Sequence, residues 1–320
     1  MNHSFWSDKR VLVTGGAGFL GSHIVNRLRA AAGCRVAVVR QKEFNLTQMY
    51  DCRRCLAAHR PGIILHAAAT HGGVPVYQLQ PGRVFYENLL MGAQLMEAAR
   101  EAGVAKFVGI GTACSYPGHL VGELSERDFW GELPHESVLE YGLAKRMMAA
   151  QGVAYRKQYG FHSIHLVLSN LYGPRDEFDP AFSHVVAALI RRFVEARRAS
   201  QPAVEAWGTG KPVREFLYVE DCADAVLLAA ERYDDTSPLN IGTGVGTSIR
   251  ELTELVRELS GYRGEIVWNA SKPDGQMKKV LDVSRVKSPL GWQAPTPLRA
   301  GLETTIRWYE TSQAAATAPA

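Results

Sequence analysis

At 320 residues, with 46% hydrophobic and 21% charged side chains, the chain can bury about three quarters of its unfolded surface without a disulfide or metal staple. Thirty-six basic and 32 acidic residues leave a net charge of only +4, dispersed along the sequence. The composition argues against disordered and membrane classes, and so small a surplus suits an anionic small ligand as well as no charged partner at all.

No apolar run approaches membrane-spanning length, and MNHSFWSD at the start lacks the hydrophobic stretch of a secretion signal. Five cysteines at 34, 52, 55, 114 and 222 have no framework spacing, so reduced thiols in a cytoplasmic protein are expected. Cys52 and Cys55 form a CxxC on a helical pattern with no second ligand pair, which argues against zinc or redox duty. The basic run IRRFVEARR at 190–198 reads as a solvated helix face, not a nucleic-acid patch, and AAATAPA at the end reads as a frayed tail.

From residue 10 onward, strand and helix patterns alternate. RVLVT (10–14) is followed by the helical pattern HIVNRLRAAA, RVAVV (35–39) by QMYDCRRCLAAH, and GIILHAAA (62–69) by VFYENLLMGAQLMEAAREA. KFVGIGT (106–112) then precedes LEYGLAKRMMAAQGVAYRKQ, which leads into FHSIHLVLS (161–169). Short apolar strands between amphipathic helices predict an α/β fold, a Rossmann-type doubly wound parallel sheet. After about residue 170 the rhythm loosens. Helices are expected at 181–198, 220–233 and 249–259, between short strands such as REFLYV and GEIVWN, as a smaller C-terminal α/β substrate lobe. The expected division is 1–170 for the nucleotide-binding domain and 171–320 mainly for the second lobe, with some chain returning to the first.

VLVTGGAGFLGSH places Gly15, Gly18 and Gly21 between the first strand and the first helix, a turn suited to a dinucleotide pyrophosphate. The spacing is GxxGxxG, and an unliganded tight turn would satisfy it too. The second strand runs into Arg40, Gln41 and Lys42, where an NAD site would offer an acidic side chain to the ribose. A cation there favours the 2′-phosphate of NADP over NAD.

Tyr141 and Lys145 in YGLAK stand four apart at the start of a helix, on one face. A neighbouring ammonium favours the phenolate and would ease proton exchange with a carbonyl or alcohol. Thr112, at the end of the preceding strand, supplies a hydroxyl. Two residues later Cys114 follows.

With these residues in view, the chain resembles the extended short-chain dehydrogenase/reductase family, from about residue 9 to 310. The shared features are the TGGAGFLG turn, the Thr112, Tyr141 and Lys145 set, Asn88 and NLYGP at 170–174. Within that family the stretches HAAATHGG, ACSYP, NLYGPRDEFDPAFSHV, WGTGKPVREFLYVED and ASKPDG are similar to the epimerase/reductases that act on GDP-4-keto-6-deoxy-D-mannose. The resemblance implies that Cys114 and His184 exchange protons at the carbons flanking a ketone, while NADPH and Tyr141 reduce it. It also implies cofactor contacts from Phe19, Leu20, Ala67, Ala68 and Asn88, with His66 and His71 nearby. For the GDP-sugar substrate it implies Asn170, Val185, Arg192, Trp207, Arg214 and Lys279, where arginine forks suit phosphates and tryptophan a base. A homodimer through helices 81–102 and 139–158 is a further implication; no membrane, metal or nucleic-acid partner is expected.

Two departures bear on substrate. Thr112 stands where these relatives have serine, and GHLVGELSERDFWGELPHE at 118–136 differs where the hexose is handled. Ala113 and Cys114 occupy the places where a 4,6-dehydratase wants acidic residues, which disfavours dehydration. A non-reducing GDP-hexose epimerase with retained NAD(P), and an NADP-sensing regulator without turnover, are the rival readings.

Overall fold

A computed structural model describes residues 2–72, 74–272 and 274–317. The strands are β1 (Arg10–Thr14), β2 (Arg35–Val39), β3 (Ile63–His66), β4 (Lys106–Thr112), β5 (Ser163–Leu168), β6 (Asn170–Tyr172), β7 (Ala203–Trp207), β8 (Val213–Tyr218), β9 (Leu239–Ile241), β10 (Gly246–Ser248), β11 (Glu265–Asn269) and β12 (Lys278–Lys279). The helices are α1 (His3–Trp6), α2 (Phe19–Arg29), α3 (Met49–His59), α4 (Val74–Leu79), α5 (Pro81–Glu101), α6 (Leu139–Tyr159), α7 (Val185–Arg198), α8 (Val219–Arg232), α9 (Ile249–Leu259), α10 (Ser284–Leu290) and α11 (Leu298–Thr317).

The main sheet has the order β2-β1-β3-β4-β5-β9 and is parallel throughout. Parallel strands covered on both faces should be apolar along their whole length, and IILH of β3 and SIHLVL of β5 are buried at every position. One face packs against α2 and α8, the other against α3, α5 and α6. Strand order reverses between β1 and β3, and in open α/β sheets the ligand crevice opens at the carboxyl ends of the strands at such a switch point.

β8 is the hub of a second, smaller sheet. It pairs with β6 and β12 in parallel and with β10 in antiparallel sense, while β7 and β11 pair beside it. Its core gathers Phe193, Phe216, Leu252 and Tyr309 among others. The chain then returns, because β9 adds the last strand of the main sheet and α8 packs on α2, with Arg27 Nε 2.8 Å from Asp224.

The expected helix at 181–198 begins later, at Val185, because residues 179–183 form a turn in which the Phe182 and Ser183 amides donate to the Asp179 carbonyl, 3.0 and 2.8 Å. Helix α11 runs to Thr317, through part of the stretch expected to fray; residues 318–320 lie outside the described residues. Cys52 and Cys55 are buried in α3, where desolvation pushes their thiols up to about 12 and about 11. They stay protonated and serve as core residues. No helix among the described residues is long and apolar enough to cross a membrane, and none of their His, Cys, Asp and Glu side chains cluster as a metal site.

Candidate active site

The crevice at the switch point is a cavity of about 1180 Å³. Its floor at one end is the turn from β1 into α2. Gly15 has φ +68, and a Cβ there would stand 2.7 Å from the Ala68 amide nitrogen; on Gly21 it would stand 2.0 Å from the Gly15 carbonyl oxygen. The turn therefore admits no side chains at these positions. Gly18, the N-cap of helix α2, provides no side-chain cap, and the first turn has no acidic residue, leaving its amides available to an anion. Phe19, Leu20, Ala67 and Ala68 line the same end of the crevice. The residues present fit a dinucleotide.

Thr14 and His66 fix the neighbouring edge. Thr14 Oγ1 lies 2.8 Å from His66 Nδ1 and accepts from the Ala68 amide at 3.3 Å. Burial, and then the Lys145 charge, push His66 down to about 3, so its ring is neutral. Asn88 is buried behind this edge and acts on it indirectly. Its amide donates to the Thr70 and Val84 carbonyls at 2.8 and 2.7 Å and its oxygen accepts from Thr70 N at 3.2 Å. Arg40, Gln41 and Lys42 are exposed just past β2, and Arg40 and Gln41 line the cavity.

β4 ends at Thr112, which caps a single 3-10 turn, Ala113–Ser115, by accepting from the Cys114 amide at 3.2 Å. This turn is pressed against α6. A Cβ on Gly142 would stand 2.3 Å from the Cys114 carbonyl oxygen, and the Ser115 hydroxyl donates to the Gly142 carbonyl at 3.0 Å. Buried Arg146 also holds the turn, donating from Nε and Nη2 to the Ser115 carbonyl and from Nη1 to those of Gly131 and Glu132. Thr112, Cys114, Tyr141 and Lys145 all line the cavity as a result.

The electrostatics differ from expectation in one respect. Burial, and then the nearby Cys114 charge, push the Tyr141 phenol up, and Lys145, 5.9 Å from the centre of that ring, does not pull it down. Lys145 itself is pushed down to about 8 by burial. In this site Tyr141 keeps its proton and is ready to give it, not take one.

Across the crevice, His184 precedes α7 as its N-cap but makes no capping bond through its side chain, so the ring faces the cavity. It lies 6.0 Å from the His71 ring. Desolvation, and then His71, push it down to about 4, although the residue is exposed at the cleft. Asn170, Trp207, Arg214 and Lys279 line the cavity, and Val185 lines an adjoining hollow of about 260 Å³. Arg192 lies behind, with its guanidinium 5.1 Å from the centre of a Trp207 ring that is half-exposed. Lys279 is turned toward the chemistry: its Nζ lies 3.5 Å from Cys114 Sγ.

Among the cavity residues that were not anticipated, Tyr77 and Asp176 bear on the chemistry. Tyr77 stacks on Tyr141 with centroids 5.3 Å apart and planes 22° apart. No motif marks it on α4. Asp176 was legible only as part of NLYGPRDEF. Its Oδ2 is buried without a partner among the described residues and burial pushes the carboxyl up to about 7.

Residues 11–242 match the NAD dependent epimerase/dehydratase family. A probable GDP-L-fucose synthase 1 of Oryza sativa subsp. japonica is 38% identical over 310 residues, covering 96% of this chain and 94% of the relative. A GDP-L-fucose synthase of Sinorhizobium fredii is 38% identical over 295 residues, 92% and 93% of the two chains. Among solved structures, a GDP-mannoheptose C4 reductase from Campylobacter jejuni with NADP bound superposes with a TM-score of 0.86 at 26% identity, covering 94% of this chain and 98% of that one. The chain belongs to the NAD dependent epimerase/dehydratase family, beside its GDP-L-fucose synthases.

Proposed function

We propose that this protein is an NADPH-dependent epimerase/reductase of a GDP-linked 4-keto-6-deoxyhexose, of the GDP-L-fucose synthase type. The observation that carries this is the convergence of a thiol, an imidazole and a protonated phenol, Cys114, His184 and Tyr141, on one cavity that also contains the glycine turn.

A ketone at C4 acidifies the hydrogens at C3 and C5. A base on one face of the ring takes the proton, the bond electrons move onto the C4 oxygen, and a proton returned from the other face inverts the carbon. Cys114 and His184, a thiol and an imidazole on the same cavity, are the groups suited to this exchange by the resemblance. The Thr112 hydroxyl is suited to hold the C4 oxygen, and Tyr141 gives that oxygen its proton when the ketone is reduced. Bound NADPH supplies the hydride. Lys145 and the glycine turn hold the cofactor, and Arg40 selects its 2′-phosphate over NAD.

For the nucleotide end, Arg214 is best suited to the diphosphate and the half-exposed face of Trp207 to the base. A division near residue 170 into a cofactor domain and a mainly substrate-binding lobe is supported by the two sheets, with α8 and β9 as the returning chain. Half-exposed Tyr86, Met147, Val153 and Tyr159 on α5 and α6 support pairing of two copies through those helices. Five free cysteines support a reducing, cytoplasmic setting.

The test is product identification by mass after incubation with NADPH and a panel of GDP-, dTDP- and UDP-4-keto-6-deoxyhexoses. Conversion confined to the GDP sugar, with one NADPH consumed per product, is expected. Turnover with only catalytic amounts of cofactor would instead mean a non-reducing epimerase.

A further inference from the structure

We propose that Lys279 is the positioning counter-ion of Cys114: in the free enzyme its ammonium holds the sulfur in the thiolate form needed to take a proton from carbon. This rests on the assignment of Cys114 to proton transfer given above. The thiolate, not the thiol, is the basic and nucleophilic form, and an adjacent ammonium favours it.

The geometry is specific. Lys279 Nζ is 3.5 Å from Cys114 Sγ, and both residues are half-buried at the cavity wall. The backbone of Lys279 is anchored, not free: β12 pairs with β8 so that Lys279 stands opposite Arg214. Directly after it, the Val280 carbonyl accepts from Leu124 N at 2.8 Å, and the Leu281 amide donates to the fully buried Glu215 carboxylate at 2.7 Å. Glu215 also accepts from the Thr243 and Gly244 amides, so one carboxylate ties β12 to the segment after β9.

The other groups acting on the sulfur do not replace Lys279. From α6 comes Tyr141 and from α4 comes Tyr77, both phenols kept neutral by burial. From β8 comes Arg214, whose charge is shared between Cys114 and Asp274. Asp274 is itself held by the Thr209 amide and hydroxyl at 2.8 and 2.7 Å. Among the described residues Lys279 has no carboxylate within 4.0 Å. Its ammonium is therefore committed to the sulfur until an anionic substrate arrives.

The test is alkylation of Cys114 by iodoacetamide, an uncharged reagent, between pH 6 and 10, read at the Cys114 peptide by mass spectrometry. Intact wild type, Lys279→Met and Lys279→Arg are compared, with retained NADPH binding as the check that each is folded. Removing the charge is expected to slow alkylation about tenfold at pH 7, the effect of one adjacent charge, and the rates should converge near pH 10. Lys279→Arg should restore the wild-type profile. A Lys279→Met profile that follows wild type throughout, or is slower by the same factor at every pH, would overturn the proposal, since the second result reports only altered access. No sugar or hydride transfer enters this assay, so a wrong substrate assignment leaves its outcome untouched.

Discussion

The α carbon of Gly142 lies so close to the Cys114 turn that a methyl group added to it would meet the Cys114 carbonyl oxygen at 2.3 Å. Contact between these two residues sets the distance between the strand-end thiol and the helix that carries Tyr141 and Lys145. Gly142→Ala is therefore expected to push α6 from β4, costing about 1–3 kcal/mol of stability and most of the activity. Thermal unfolding and turnover of the variant check this; wild-type values in both would show that the turn yields without consequence.

Lys145 titrates within the working range. Burial lowers its amine to about 8, so the ammonium that would hold the cofactor is present below that pH and is lost above it. NADPH affinity should fall as pH rises from 7 to 9.5, and in Lys145→Met it should be weaker at pH 7 and nearly flat over the same interval. An unchanged slope in the variant would assign the titration to another group.

His165 in β5 is 3% exposed, and neither ring nitrogen has a partner among the described residues; burial, and then Lys145, push it down to about 3. In the unfolded chain the same ring takes a proton below about 6.5, whereas in the fold it stays neutral until about 3. The fold therefore keeps its full stability above 6.5 and loses it as pH falls through that window, by about 2 kcal/mol at pH 5 from this one ring. His165→Met should match or exceed wild-type stability at pH 7 and lose less between pH 7 and 5 in denaturant titrations. Parallel losses in the two proteins would contradict the assignment.

Cofactor choice turns on the exposed end of β2. Arg40→Ala should weaken NADPH binding by about 1.5–3 kcal/mol, the range for a hydrogen bond to a charged group, while leaving NADH nearly unaffected. Equal losses for the two nucleotides would mean that Arg40 does not read the 2′-phosphate.

Much of this was legible in the chain. The alternation through FHSIHLVLS predicted the parallel sheet because buried parallel strands are apolar on both faces, and the Gly15–Gly21 turn was readable because close backbone approach leaves room for nothing else. Tyr141 and Lys145 followed from helical spacing, whereas Cys114 was marked only by the family resemblance of the ACSYP stretch around it. The expected pull of Lys145 on the Tyr141 phenol is outweighed in the fold, because spacing reports adjacency and says nothing of burial. Tyr77 and the Lys279 contact were not readable at all. Each joins residues far apart in sequence through tertiary packing, and neither carries a local pattern.

The most direct measurement is conversion of GDP-4-keto-6-deoxy-D-mannose with NADPH in deuterium oxide, for wild type and Cys114→Ser. Wild type should give a reduced product carrying solvent deuterium at both C3 and C5, and the variant should bind NADPH normally yet lose the exchange. A wild-type product with no deuterium at either carbon, or full exchange in Cys114→Ser, would contradict the account.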